Sequence, residues 1–119
     1  MKFSESLKKN RDFLAVYRRG TSKANKYLVM YVLENGLQKN RVGISASKKV
    51  GNSVVRHTLT RRVREAYRLQ EESFRTGYDI VFVVRAAAAG CRQSDIEYSV
   101  HRLADRNKVL IQSAKEESI

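Results

Sequence analysis

The stretch NKYLVMYVLENG sets Tyr27, Val29, Tyr31 and Leu33 against Leu28, Met30 and Val32. That is the two-residue period of a β-strand with two apolar faces. RVGISAS, after the turn-rich NGLQKN, predicts a second, antiparallel strand, and YDIVFVVR is the strongest third strand. Elsewhere the period lengthens. In LKKNRDFLAVYRRG, Phe13, Val16 and Tyr17 recur at helical spacing, with Asn10 placed to cap the helix and Gly20 to end it. KKVGNSVVRHTLTRRVREAYRLQ opens as a basic, glycine-containing loop and becomes helical, with Asn52 or Ser53 as cap. Ala86–Ala89 either extends the third strand or starts the next turn. Ser94 and Glu97 then offer a capping box for a last helix whose apolar stripe is Ile96, Val100, Leu103 and Leu110. The order predicts a compact, sandwich-like αββαβα domain of the α+β class, a small sheet packed on helices. With no repeat, linker or low-complexity tract, one domain over 1–119 with flexible ends is the economical reading.

A helical wheel divides the central helix sharply. Counting from Val55, the residues Leu59, Val63 and Ala66 fall within about 80° of one another and predict the buried side. His57, Arg61, Arg64 and Arg68 lie about 180–240° around, opposite that side. Arg56 and Thr60 stand at one border and Arg62 at the other. Amphipathic helices generally put charge in water, so a cationic face alone says little. Here Glu65 is the sole carboxylate between Arg56 and Gln70, and the adjoining loop adds Lys48 and Lys49. Repulsion left uncompensated favours an anionic partner, and arginine forks suit phosphate oxygens.

Charge along the whole chain points the same way. The net charge is +12. Through Gln70 there are 17 Lys/Arg against 4 Asp/Glu, and thereafter 7 against 8. A positive field gathered in one part of a folded chain attracts polyanions, above all nucleic acid. The longest strongly apolar runs, YLVMYVL and IVFVV, are far too short to span a membrane. The amino-terminal residues lack the apolar core of a secretory signal. One cysteine, Cys91, allows no internal disulfide, and no Cys/His cluster marks a metal site. A cytoplasmic protein with no membrane partner is expected. Cys91 reads as an incidental thiol, and His101 as structural or solvent-facing.

A second candidate surface is aromatic. Phe13 and Tyr17 share a helix face, and Val29 and Tyr31 share a strand face. Packed side by side they would line a groove for stacking unpaired bases. Apolar residues at such spacing are also what a core requires, and without further information the core reading leads.

The loop and helix SKKVGNSVVRHTLTRRVREAYR resemble the signature of the bacterial ribonuclease P protein family. LKKNRDFLAVYRRGTSKAN, the tyrosine-bearing strand, RVGISASKKVGN and YDIVFVVR support the resemblance in order over roughly residues 7–105. The family motif usually reads R-N-R-x-K-R. Here those places hold Arg56, His57, Thr58, Leu59, Thr60 and Arg61, so three polar positions depart from it.

The resemblance implies a division of labour. The RNA subunit, using Mg2+, would remove the 5′ leader of precursor tRNA, with one protein bound per catalytic RNA. Lys48, Lys49, Asn52, Arg56, His57, Arg61, Arg64 and Arg68 would hold that RNA. Phe13, Tyr17, Val29 and Tyr31 would line a cleft for the leader. No protein-bound organic cofactor is implied, and no catalytic residue. It also implies a left-handed βαβ crossover through the motif helix, where periodicity alone favours the right-handed kind.

An alternative reading is a stand-alone RNA-binding or ribosome-assembly factor. A protein nuclease fits poorly, because Asp12, Glu34, Glu65 and Asp79 are scattered and form no ligand pattern. The chain's pattern leaves open any metal site, dimerisation of the holoenzyme, and the order of the terminal AKEESI.

Overall fold

The alternation of the tyrosine-bearing strand is matched, and all three expected strands are present, in a computed structural model, which describes residues 1–111. The terminal AKEESI lies outside them. The elements run β1 (Ser4–Ser6), α1 (Asn10–Arg19), β2 (Thr21–Ala24), β3 (Leu28–Glu34), β4 (Asn40–Ser45), α2 (Ser53–Gln70), β5 (Tyr78–Val84) and α3 (Gln93–Arg106). Short 3₁₀ turns cover Glu71–Ser73 and Ala86–Gly90, so the alanine run is a turn rather than more strand. The sheet order is β1-β4-β5-β3-β2. The α+β class and all six expected elements are present.

Two strands were not foreseen. SES and TSKA carry no apolar alternation, and β2 is exposed along its length. Among the described residues each pairs with one neighbour, β1 parallel to β4 and β2 antiparallel to β3. Such edges are held by backbone hydrogen bonds, which the side-chain pattern does not encode. The expected antiparallel partner of β3 also needs correction. β4 does not pair with β3: β5 lies between them, antiparallel to β3 and parallel to β4. The nearly continuous burial of β5 suits a central strand, and α2 becomes the connection between two adjacent parallel strands.

Helix ends depart from expectation by a few residues. Lys9, not Asn10, is the residue before α1, and no side chain caps it. Gly20 does end α1, because a Cβ there would lie 2.6 Å from the carbonyl oxygens of both Val16 and Val32. Asn52 is the cap of α2, its side-chain oxygen accepting the Val55 N–H at 3.0 Å. α3 begins before the expected Ser94/Glu97 box: Asp95 reaches back to accept the Arg92 N–H at 3.0 Å. Leu110 is buried but off the helix, opposite Phe74 in an isolated antiparallel bridge. Lys108 at φ 62° turns the chain between helix and bridge.

The sheet has two differently covered faces. Leu28, Met30, Val32, Val42, Ile80 and Phe82 meet Leu59, Val63, Ala66, Ile96, Val100 and Leu103 in the main core under α2 and α3. Burying side chains of this size contributes about 1.5–3 kcal/mol each before conformational entropy is counted. Tyr67 is fully buried there, its ring edge-on to Phe74 at 4.8 Å. Its hydroxyl shares a hydrogen bond with Ser4 Oγ at 2.8 Å and accepts one from Asn40 Nδ2 at 3.3 Å. One aromatic thus ties α2 to β1 and β4. Against the opposite face packs α1, in a smaller cluster around Leu7, Val16 and Val81.

Candidate nucleic-acid interface

Burial along α2 follows the wheel. Leu59, Val63 and Ala66 are buried, together with Tyr67, while His57, Arg61, Arg64 and Arg68 are exposed. Arg56 and Arg62 are half-buried at the borders. The helix has no acidic residue in its first turn, although the macrodipole favours anions there. Buried Val50 and a turn closed by its N–H to Ser47 O at 3.0 Å fix the preceding loop, leaving Lys48 and Lys49 exposed. Asn52 spends its side-chain oxygen on the helix cap, so only its amide N–H groups remain to face a ligand.

The cationic face is not uniform. Arg61, Arg62, Arg64 and Arg68 line an open depression of about 410 Å³ with Met1, Glu65 and Gln93. Within it Arg68 grips Glu65, its Nε donating to both carboxylate oxygens at 2.9 and 3.0 Å. Hydrogen bonding from that guanidinium holds the Glu65 carboxyl below the usual carboxylate range and raises the arginine in turn. Arg68 therefore meets any anion as a paired group. Arg61 and Arg64 enter no ion pair among the described residues.

Phe13, Tyr17 and Tyr31 come together on the α1 side of the sheet, whereas Val29 shares the strand face of Tyr31 and is joined to that group through its cross-strand partner Val83. Tyr17 stands edge-on to Tyr31 with ring centres 5.0 Å apart, and Phe13 lies 6.4 Å from Tyr17. All four are half-buried, so they serve packing and present surface at once. Val83, cross-strand from Val29, continues this surface and was missed. Alternation within IVFVV was the available signal, since it sets Val81 and Val83 against Ile80 and Phe82.

An ion pair between half-buried Arg41 and buried Asp79 sits at one end of the same face. Arg41 Nε and Nη2 donate to Asp79 at 2.7 and 2.6 Å, and Asn35 Nδ2 adds a bond to the same carboxylate at 3.0 Å. Asp12 of α1 lies 3.7 Å from Arg41. Hydrogen bonding to Asp79 raises the Arg41 pKa against the cost of burial. Asp12 and Asp79 are thus occupied in holding α1 to the sheet.

Cys91 and His101 carry no comparable arrangement. Burial pushes the Cys91 thiol up, and His101 is exposed on α3. Among the described residues no three His, Cys, Asp or Glu side chains gather to hold a metal, and no helix is long and apolar enough to cross a membrane.

The chain is similar in sequence and fold to known proteins over most of its length. Residues 1–108 match the family model described as Ribonuclease P. The chain is 52% identical over 110 residues to the ribonuclease P protein component of Lachnoclostridium phytofermentans, covering 92% of this chain and 95% of that protein. It superposes on the Staphylococcus aureus RNase P protein with a TM-score of 0.82 at 33% identity, covering 89% and 97% of the two chains. For the Thermotoga maritima RNase P protein the TM-score is 0.79 at 30% identity, covering 86% and 96%.

Proposed function

The chain belongs to the ribonuclease P protein family as a protein subunit of ribonuclease P, and we propose that its work there is electrostatic positioning rather than bond-breaking. The observation that carries this is the exposed pair Arg61 and Arg64 of α2, in no ion pair among the described residues, beside a fixed lysine loop and set apart from the half-buried aromatic surface under α1. Lys48, Lys49, Arg56, His57, Arg61 and Arg64 hold phosphates of the catalytic RNA, with Asn52 and Arg68 as weaker members already engaged in a cap and an ion pair. Phosphate contacts fix register without reading sequence, which suits a subunit serving many precursors. Phe13, Tyr17, Val29 and Tyr31 take the unpaired 5′ leader of precursor tRNA, where bases stack on exposed aromatic faces.

Cleavage itself is assigned to the RNA, one protein to each, in the cytoplasm. The Mg2+ it uses is placed with that RNA, since among the described residues no three His, Cys, Asp or Glu side chains gather to hold an ion. By neutralising repulsion between ribozyme and precursor, the protein lowers the magnesium needed for cleavage.

The test is precursor-tRNA cleavage at low magnesium by a bacterial ribonuclease P RNA, with the protein, without it, and by the protein alone. Cleavage that needs both components is expected. Cleavage by purified protein alone, or a magnesium optimum unchanged by the protein, would overturn the proposal.

A further inference from the structure

The helix α1 has a second face that the proposed function does not use. Phe13, Val16 and Tyr17 turn toward the sheet, while Arg11, Leu14, Ala15, Arg18 and Arg19 line an apolar-floored depression of about 300 Å³ on the outside. Lys8 and Lys9 stand exposed just before the helix, as Arg11, Arg18 and Arg19 do along it. None of these five cations enters an ion pair among the described residues. The one acid of the helix, Asp12, is turned to Arg41 and does not offset them.

A solvated helix face explains only part of this. Arg18 and Arg19 lie in the last turn, where the macrodipole favours cations. Lys8, Lys9 and Arg11 lie at the opposite end, where it disfavours them. An arrangement that costs stability in the free protein is explained when an anion occupies the face.

We propose that the outer face of α1 is a second phosphate-binding surface, independent of α2, which takes the backbone of double-stranded RNA. That the polyanion is RNA rests on the function proposed above; the surface itself rests on the charges. A duplex rather than a single strand follows from the side chains. Single strands are held by stacking on aromatics, and this face has none, only Leu14 amid arginines. Arg11 and Arg18 are spaced about 10 Å apart along the axis, two turns on one face, and offer forks to a phosphate rail without reading bases. Location makes the surface a bridge. α1 packs on β3 and β5 from one side of the sheet, whereas α2 packs on β4 and β5 from the other. The protein thereby joins two RNA segments held on opposite sides of its sheet.

Titration with a blunt RNA duplex of about 16 base pairs, followed by native mass spectrometry and anisotropy, tests this with the full chain. Wild type is expected to bind two duplexes. Arg11→Glu/Arg18→Glu is expected to bind one, with at least about 10-fold weaker occupancy of the second and a salt slope reduced by about 2. Arg11→Gln/Arg18→Gln, a milder change at exposed positions, should show the same direction if the charge reversal disturbs folding. Arg61→Glu/Arg64→Glu should also bind one duplex, through α1. A single duplex on wild type, unaffected by the α1 changes, would overturn this inference alone. Loss of single-stranded RNA instead of duplex, or of self-association with RNA binding intact, would overturn it too. Wild type that binds no duplex at all would overturn the RNA reading with it.

Discussion

The Phe13 ring lies so close over Gly43 of β4 that a Cβ at Gly43 would sit 2.4 Å from Phe13 Cζ. The missing side chain on the strand is what lets the aromatic settle beside Val81, the cross-strand partner of Gly43. Gly43→Ala should therefore push Phe13 outward, with an overpacking cost of about 1–3 kcal/mol. Chemical denaturation measures that cost. Affinity for leader-bearing precursor tRNA should fall, while affinity for the catalytic RNA stays at the wild-type level.

Tyr31→Ala and Arg64→Ala should separate the two proposed surfaces. Removing the tyrosine that Tyr17 meets at 5.0 Å deletes an aromatic ring, whose face is worth about 1–3 kcal/mol if a base stacks on it. Binding of leader-containing tRNA should weaken and that of mature tRNA should not. Removing Arg64 should instead weaken assembly with the catalytic RNA, most at low salt, and reduce the log–log salt slope by about 0.7–0.9. Equal losses on mature and leader-bearing tRNA for Tyr31→Ala would remove the leader cleft.

Glu65 already holds Arg68, so a phosphate drawn to that arginine, as proposed above, would have to compete with the carboxylate. In Glu65→Gln the arginine loses its charged partner, and RNA should bind a few-fold tighter at low salt, with a slope steeper by about 0.9 for one more neutralised phosphate. Filter binding across a salt series reads both. An unchanged slope would mean that Arg68 faces no RNA.

Glu71 ties the chain's first residues to the end of α2. Its carboxylate is buried and accepts the N–H groups of Lys2 and Phe3 at 2.7 and 2.9 Å. Burial alone would raise its pKa, but hydrogen bonding from Ser4 and from these two amides holds it below the usual range. A depressed folded pKa stabilises above the unfolded carboxylate value, about 4.3, and that stability is lost as pH falls through the folded value. Glu71→Gln should destabilise at neutral pH and flatten the acid side of the stability curve. Hydrogen exchange at Lys2 and Phe3 should speed up in the same variant.

Much of the fold was legible because side-chain periodicity reports burial. Met30 and Tyr31 were assigned to opposite faces by alternation alone, and Leu59 and Arg61 by helical phase. Polar β1 and β2 left no such trace, since an edge strand is held by backbone bonds that any residue makes. The start of α3 was misplaced because Asp95, rather than Ser94 or Glu97, reaches the free N–H. The candidate site was legible as two sets of residues and not as a geometry.

Sequence by itself determined the charge, the arginine face and the elements carrying them, because these depend on residue identity and local period. Only the tertiary structure decided that β5 enters between β3 and β4, a choice made by long-range pairing over more than thirty intervening residues. It also decided that Glu65 occupies Arg68, that Gly43 admits Phe13, and that α1 and α2 lie on opposite sides of one sheet. Those are contacts between side chains brought together by packing, and no local pattern records which partner a charge or a ring will meet.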